Sequence, residues 1–237
     1  MRKIAINLIA LFWLSVFAVG SAAAAGLGFG AAGHQMQVDA DGTETASSGT
    51  SGDGSATSAT VDSSETIASY YLELTMGENN GWAIGYEMIP GSADVSDKTH
   101  TRTDTETSVT GTAAAVSNTR TFTADAEVED FKVIYAEVPL GSLLYVRAGF
   151  SEITVNTKEM ASGNGGSYGN ATLDGMQYGI GMKGLMGENF RWKIGYEMND
   201  FDQLKLTSSG NSVSGETNSL TADLDTSAFK VGIGLQF

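Results

Sequence analysis

The chain has 237 residues, no Cys, two Pro, 30 Gly and a formal net charge of −15. This length and composition favour one β-rich domain over two compact domains, and without Cys the fold has no disulfide bonds. The acidic balance excludes a nucleic-acid-binding protein, because binding to phosphates requires clustered Lys and Arg.

The N-terminal residues 1–25 read as a secretory signal peptide. Arg2 and Lys3 form a positive end, an apolar run follows from Ile4 to Gly20, and four Ala at 22–25 offer cleavage sites. The alternative, a membrane-anchoring helix, is less favoured because the apolar run is short and no charged stop follows it. We therefore expect this segment to be cleaved and the mature chain, 26–237, to be exported.

Alternation of apolar and polar residues between turn signals predicts eight β-strands in the mature chain. Each has a length that suits a tilted strand crossing the hydrocarbon layer. No later apolar run is long enough to cross as a helix, so any crossing is expected to use strands. The predicted strands cover 26–38, 66–76, 81–90, 129–138, 143–156, 173–185, 190–201 and 226–237.

The predicted connections alternate strictly between short and long. The short ones, rich in turn-forming residues, lie at 77–80, 139–142 and 187–189. The long ones lie at about 39–65, 91–128, 157–172 and 202–225. This alternation is typical of an outer-membrane barrel with periplasmic turns at one rim and extracellular loops at the other.

An internal repeat relates the third and seventh predicted strands. Residues 77–88 match residues 187–198 at nine of twelve positions without gaps. The sequence Phe131-Lys132-Val133 is also identical to Phe229-Lys230-Val231, although chance can explain a match of three residues. A barrel built from two four-stranded halves is the simplest interpretation.

The last strand alternates to the end of the sequence. Its apolar side chains share one face: Phe229, Val231, Ile233, Leu235 and Phe237. An apolar strand at an open sheet edge invites edge-to-edge pairing, whereas barrel closure pairs the last strand with the first. A terminal Phe on such a strand also resembles the C-terminal assembly signal of bacterial outer-membrane barrels.

Together these features resemble the eight-stranded outer-membrane barrels typified by the transmembrane domain of outer-membrane protein A and by the opacity-type proteins. The resemblance covers the whole mature chain and concerns architecture, since no catalytic motif carries it. It implies an all-β, eight-stranded antiparallel up-and-down transmembrane β-barrel in the bacterial outer membrane. The implied partners are outer-membrane lipid, lipopolysaccharide and the barrel assembly machinery.

The repeat also predicts what each face of the barrel carries. One face is apolar and is expected to contact lipid, with Trp82 and Trp192 in an aromatic girdle near the periplasmic turns. The opposite face is expected to form a lumenal ion-pair network of Glu73, Glu87, Lys132, Arg147, Lys193, Glu197 and Lys230. Because an eight-stranded barrel is just wide enough to be filled by its own side chains, paired charges would plug the lumen. The alternative is a soluble core made of the same apolar residues.

Three functions remain open at this point. The favoured one is a non-catalytic barrel that stabilises the envelope and presents acidic loops rich in Ser, Thr and Gly, where an extracellular ligand or phage would bind. The others are a narrow porin-like channel and a lipid-modifying enzyme. The enzyme is disfavoured because a triad of His34 with Ser151 and Glu197 has no motif spacing. No metal or cofactor motif is present, and the loop Asp residues would hold Ca²⁺ only weakly.

Overall fold

The computed structural model describes residues 25–45, 56–77, 81–95, 100–108, 116–161, 167–209 and 217–237. Nearly all of the predicted signal peptide therefore lies outside the described residues. Among the described residues, no helix is long and apolar enough to span a membrane. The strands are β1 (Ala25–Thr45), β2 (Ala56–Met76), β3 (Trp82–Asp94), β4 (His100–Ser108), β5 (Val116–Leu140), β6 (Leu144–Ala161), β7 (Ala171–Met186), β8 (Phe190–Phe201), β9 (Leu204–Thr207) and β10 (Ser219–Gln236).

Eight of these strands close into one barrel. The antiparallel order is β1-β2-β3-β5-β6-β7-β8-β10, and β10 pairs back onto β1. The closing ladder runs from Gly28↔Gln236 to Thr45↔Ser219, and Leu27 and Phe237 exchange two further backbone hydrogen bonds. Strands β4 and β9 extend the sheet, on β5 and β10 respectively. The predicted eight-stranded antiparallel barrel is confirmed.

The strands extend farther into the long connections than the sequence analysis predicts. β1 runs to Thr45 and β2 begins at Ala56, so most of the predicted 39–65 loop is a hairpin. β5, β6 and β10 likewise reach into the other predicted loops. The Ser- and Thr-rich composition suggested loops, but β-branched Thr suits strands, and the ladder with β1 continues without a register shift.

The barrel interior changes character along its axis. Near the short turns it is lined by buried charged side chains. Toward the long connections it is filled by a cluster of buried apolar side chains, which the sequence analysis did not predict. That cluster, named here the apolar core, contains Met36, Val38, Ile89, Val95, Val128, Phe131, Val133, Tyr135, Ile153, Val155, Leu173, Phe201, Leu204, Leu224 and Ala228.

Two bulges bend the wall at the level where the apolar core begins. The β3–β5 ladder shifts register between Ile89 and Ser92, and the β5–β6 ladder shifts between Glu129 and Lys132. Gly91 (φ 97°) and Asp130 (φ 55°) adopt left-handed backbone conformations inside these bulges. Bulges of this kind re-aim a strand, and here they separate β3 from the upper part of β2.

Candidate functional site

Nine buried charged side chains converge in the lumen on the short-turn side of the apolar core. Four are carboxylates and five are cationic, and seven different strands supply them. Alternation along each strand places them, since every second side chain points inward. The set is Glu73, Glu87, Glu137, Glu197, Arg147, Lys183, Arg191, Lys193 and Lys230.

The layer nearest the apolar core, named here the upper layer, balances two acids against two bases. Glu87 Oε2 accepts hydrogen bonds from Arg147 Nη2 at 2.6 Å and from Lys230 Nζ at 2.5 Å. Glu197 Oε1 lies 2.9 Å from Arg147 Nη1 and 3.2 Å from Lys230 Nζ. Gln177 accepts from Arg147 Nε at 2.6 Å. Because each charge has two opposite partners, the desolvation cost of this layer is offset by direct pairing.

The lower layer, nearer the short turns, is centred on Lys193. Its ammonium donates to Glu137 Oε1 at 2.8 Å and also to Glu73. Lys183 donates to Glu137 Oε2 at 2.9 Å, and Arg191 Nη1 lies 3.4 Å from Glu73 Oε2. These contacts join side chains from strands that are two or three apart in the wall, so they span the lumen instead of linking neighbouring strands.

Three inward-facing tyrosines surround the Lys193 ammonium. Its Nζ lies 5.1, 5.8 and 6.0 Å from the ring centroids of Tyr71, Tyr135 and Tyr145, within the range of cation–π attraction. The rings fit because glycines lie beneath them: a Cβ added at Gly181 would lie 2.7 Å from Tyr145 Cζ. The alternation of Tyr and Gly around the wall therefore fills the lumen without overpacking.

His34 lies at the edge of the upper layer in a cluster with Ser69 and Glu87. Ser69 donates to Glu87 Oε1 at 2.5 Å, and His34 Nε2 is 2.8 Å from Ser69 Oγ and 3.2 Å from Glu87 Oε1. Since the hydroxyl proton is given to Glu87, Ser69 accepts from His34, which places the imidazole proton on Nε2. In a nucleophilic triad the acid instead contacts the other ring nitrogen. No hydrogen bond joins His34 to Ser151 or Glu197 within the described residues.

Six of the seven residues predicted to form the lumenal network lie in the lumen. The prediction for the seventh, Lys132, was wrong. Lys132 is on the outer face, 35% exposed, with Nζ 3.5 Å from Glu152 Oε1. The bulge at Asp130 sets the phase of β5 so that Phe131 points into the apolar core, opposite to Phe229 in β10. The short echo between these strands therefore carried no information on orientation.

Glu137 is the inward acid that the sequence analysis missed. It follows Val133 and Tyr135 at a spacing of two, and all three are buried. Strict alternation along β5 from Val133 was the signal that would have found it.

The outer face of the same segments carries an apolar band. The side chains of Phe229, Val231, Ile233, Leu235 and Phe237 are all exposed on the outside of β10. The Phe237 ring stacks on Phe29 of β1 at a centroid distance of 6.1 Å, across the closing ladder. Trp82 is 53% exposed on this face, whereas Trp192 is half-buried and packs over Gly184.

Beyond the band, on the long-connection side, carboxylates lie side by side on four adjacent strands. Asp62, Asp39, Asp225 and Asp200 form one row, because each is the direct cross-strand partner of the next. Partial burial, and then the repulsion of Asp200 and Asp223, raises the pKa of Asp225. No group of three or more His, Cys, Asp or Glu among the described residues is arranged to hold a metal ion.

Comparisons with known proteins find similarity at the level of structure. No protein-family model matches the chain, and no curated protein sequence is similar to it. The outer membrane protein OprG of Pseudomonas aeruginosa aligns over 91% of this chain and 97% of its own, at 11% identity and a TM-score of 0.46. The outer membrane protease OmpT of Escherichia coli aligns over 92% and 99%, at 7% identity and 0.48. The attachment invasion locus protein Ail of Yersinia pestis aligns over 88% and 99%, at 14% and 0.36.

Proposed function

We propose that the protein is a non-catalytic integral β-barrel of the bacterial outer membrane, with a plugged lumen and an acidic extracellular rim. The membrane placement is supported by the polarity of the wall near the short turns, where the outside is apolar and the inside is charged. A water-soluble barrel needs the reverse arrangement, because its apolar side chains must be buried. An outward apolar band around a polar interior is the arrangement of a transmembrane barrel.

The observation that supports the proposed function most directly is that the lumen is filled by two kinds of side chain, charged ones near the short turns and apolar ones above them. The charged layers connect non-neighbouring strands through the lumen, and the apolar core occupies the lumen above them. The cavity between them, bounded by residues including His34, Ile89, Phe131 and Asn199, has room for about one water molecule. A permeating ion would have to displace paired buried charges and then enter an apolar segment, and both steps are costly.

The proposed role of such a barrel is structural. It adds a stiff element to the envelope in contact with lipid and lipopolysaccharide, and it holds the hairpins of the long connections above the membrane. Because the acidic row borders the apolar band, the rim favours positively charged contacts over anionic ones. The exposed apolar outer face of β10 supports the proposed recognition by the barrel assembly machinery during insertion.

The plug is tested by conductance across planar lipid bilayers. We expect the purified wild-type protein to give no reproducible current steps. Glu73→Ala and Arg147→Ala each remove one charged side chain from the lumen and test whether the charged layers alone block conductance. Because the apolar core remains in both variants, we expect little current from either. Lys132→Ala is the matched control, since Lys132 lies outside the lumen. Regular steps from the wild type would contradict the plug and favour a narrow channel.

The placement in the membrane is tested separately by labelling single cysteines in a chain that otherwise has none. Ser64→Cys lies beyond the apolar band on the long-connection side, and Gly141→Cys lies in a short turn. A membrane-impermeant maleimide should label Ser64→Cys on intact cells and Gly141→Cys only after the outer membrane is permeabilised. The reverse pattern, or equal labelling, would contradict the proposed orientation.

A further inference from the structure

One side of β2 is left without a partner strand over most of its upper half. The β2–β3 ladder covers only Tyr70↔Met88 to Met76↔Trp82, although β2 begins at Ala56. On its other side β2 pairs with β1 along its whole length. Within the described residues, no strand pairs with the second side of β2 between Ala56 and Ser69. We name this stretch the free edge.

The free edge arises from the bulges in the neighbouring wall. Above Met88, Pro90 has no N–H to donate and Gly91 is left-handed, so β3 turns toward β5, and β4 pairs with β5 rather than with β2. The upper wall is thereby divided into two sheets, one ending at β2 and the other at β4. The hydrogen bond from Ser63 Oγ to the Asp94 carbonyl, at 3.2 Å, crosses the division.

The backbone groups that face the free edge follow from the ladder register. Leu27 exchanges both backbone bonds with Phe237, the residue directly after β10, so odd-numbered residues of β1 face β10 and even-numbered residues face β2. The β1–β2 ladder pairs even residues with odd ones and contains no register shift. Even-numbered residues of β2 therefore point their N–H and C=O groups away from β1. On the free edge these are Ala56, Ser58, Thr60, Asp62, Ser64, Thr66 and Ala68.

Of the features that usually prevent pairing with other chains, this edge carries acidic side chains at Asp62 and Glu65 but no basic residue, proline or bulge. Residues 56–69 contain no Lys, Arg or Pro, and the ladder behind them is free of bulges. Natural edge strands carry such features because an unprotected edge is a template for strand addition. An extended segment can add to it through main-chain hydrogen bonds, with specificity supplied by alternate side chains.

The charges around the free edge define the segment that fits it. No Lys or Arg occurs between residues 35 and 97, whereas Asp62 lies exposed on the outer face of β2 and Asp94 lies exposed across the division on β3. Outward side chains of an added strand would lie beside Asp62 and Ser64. Inward side chains would lie beside Val61 and Ile67, which pack against the apolar core. The complementary strand is therefore basic on one face and apolar on the other.

We propose that the free edge of β2 is a docking site for an extended polypeptide of a partner, in which basic and apolar residues alternate. The partner adds to the sheet as a strand next to β2, above the membrane. Its access to this edge in the cell rests on the proposed extracellular placement of the long-connection rim.

The test uses ten-residue peptide probes and the full-length protein in detergent, with binding followed by fluorescence anisotropy. We expect a peptide of alternating Lys and Val to bind and one of alternating Glu and Val to fail. A peptide of alternating Lys and Pro keeps the charge but cannot form a continuous ladder, and it should bind at least about tenfold more weakly. Equal binding of the Lys-Pro and Lys-Val peptides would overturn strand addition.

A matched pair of variants locates the site. Ser64→Pro removes an N–H on the free edge while leaving the β1 ladder intact, whereas Ser64→Ala keeps that N–H; both lose the 2.9 Å bond from Gln35 to the Ser64 hydroxyl. We expect Ser64→Pro to weaken binding about tenfold and Ser64→Ala to leave it unchanged. Equal affinities for the two variants would place the peptide elsewhere and overturn the proposal. A wild-type dimer that Ser64→Pro dissociates would also overturn it, since a second copy of the chain would then occupy the edge. Binding to purified protein does not depend on orientation, so the cysteine labelling fails or succeeds independently.

Discussion

Neutralising Glu87 is the most direct test of the lumenal network. Glu87→Gln keeps the size of the side chain and removes one of the two carboxylates in the upper layer. Arg147 and Lys230, which both donate to Glu87 Oε2, then share Glu197 alone. The amide also brings an N–H₂ group to a position surrounded by donors. The substitution therefore leaves a buried excess positive charge.

The size of the effect follows from the burial of all four groups. Removing one partner of a buried ion pair typically costs about 3–5 kcal/mol, because the remaining charge is left desolvated without compensation. Lys132→Gln breaks a half-exposed pair with Glu152 on the outer face and should cost at most about 1 kcal/mol. In the double variant Glu87→Gln/Lys230→Met the excess charge is removed, so we expect part of the lost stability to return.

The assay is reversible urea unfolding in lipid vesicles, followed by the fluorescence of Trp82 and Trp192 on the outer face. The free energy of unfolding is compared for the wild type, Glu87→Gln, Lys132→Gln and the double variant. If Glu87→Gln costs no more than Lys132→Gln, the reasoning that the charged layers hold the lumen together is refuted. The same holds if Lys230→Met adds its full cost to that of Glu87→Gln, because coupled residues are not additive.

Three further outcomes are expected from single substitutions. Gly181→Ala should destabilise the barrel by about 1–3 kcal/mol in the same urea assay, because its Cβ would press on Tyr145; an unchanged midpoint would contradict the ring-on-glycine packing. Asp225→Asn should raise the thermal midpoint at pH 7. The raised pKa of Asp225 means that its negative charge disfavours the folded state. This repulsion is absent once the pH is below the pKa of Asp in the unfolded chain, about 3.9. An equal rise of the thermal midpoint at pH 3 would therefore refute the repulsion. Phe237→Ala should lower the fraction of heat-modifiable barrel in outer-membrane extracts, since the stack on Phe29 closes the seam; unaltered yield would count against the assembly signal.

Much of the barrel is predictable from alternation alone, because a closed sheet with two chemically different faces imposes a strict period of two. Trp82 and Phe229 lie outside and Lys193 lies inside for this reason. Which charges meet is a different question. Glu73 and Lys193 are 120 residues apart and come from β2 and β8, which are not neighbours in the wall. Their contact depends on strand tilt and stagger, which one sequence does not encode locally.

The errors have a common physical origin at the bulges and above them. Lys132 was predicted to lie inside, but Phe131 and Val133 on either side of it are buried, so alternation places it on the outer face just after the register shift at Asp130. The upper strands were interpreted as loops because Ser, Thr and Gly dominate them. Their inward positions nevertheless carry apolar side chains such as Val128, Leu204 and Leu224, and that alternation is a strand signal even in a polar segment.

The reversal of polarity along β1 marks the level at which the proposed membrane-spanning part of the barrel ends. Outward side chains change from Phe29 to Gln35 and Asp39, while inward side chains change from His34 to Met36. Both changes occur within a few residues of each other. In the proposed placement, lipid surrounds the barrel below this level, so the interior can be charged. Above it the outside is water, so the interior must be apolar for the strands to stay folded. β1 therefore keeps one alternation of inward and outward residues while its surroundings change from the proposed lipid to water. The free edge of β2 begins near the level of that change.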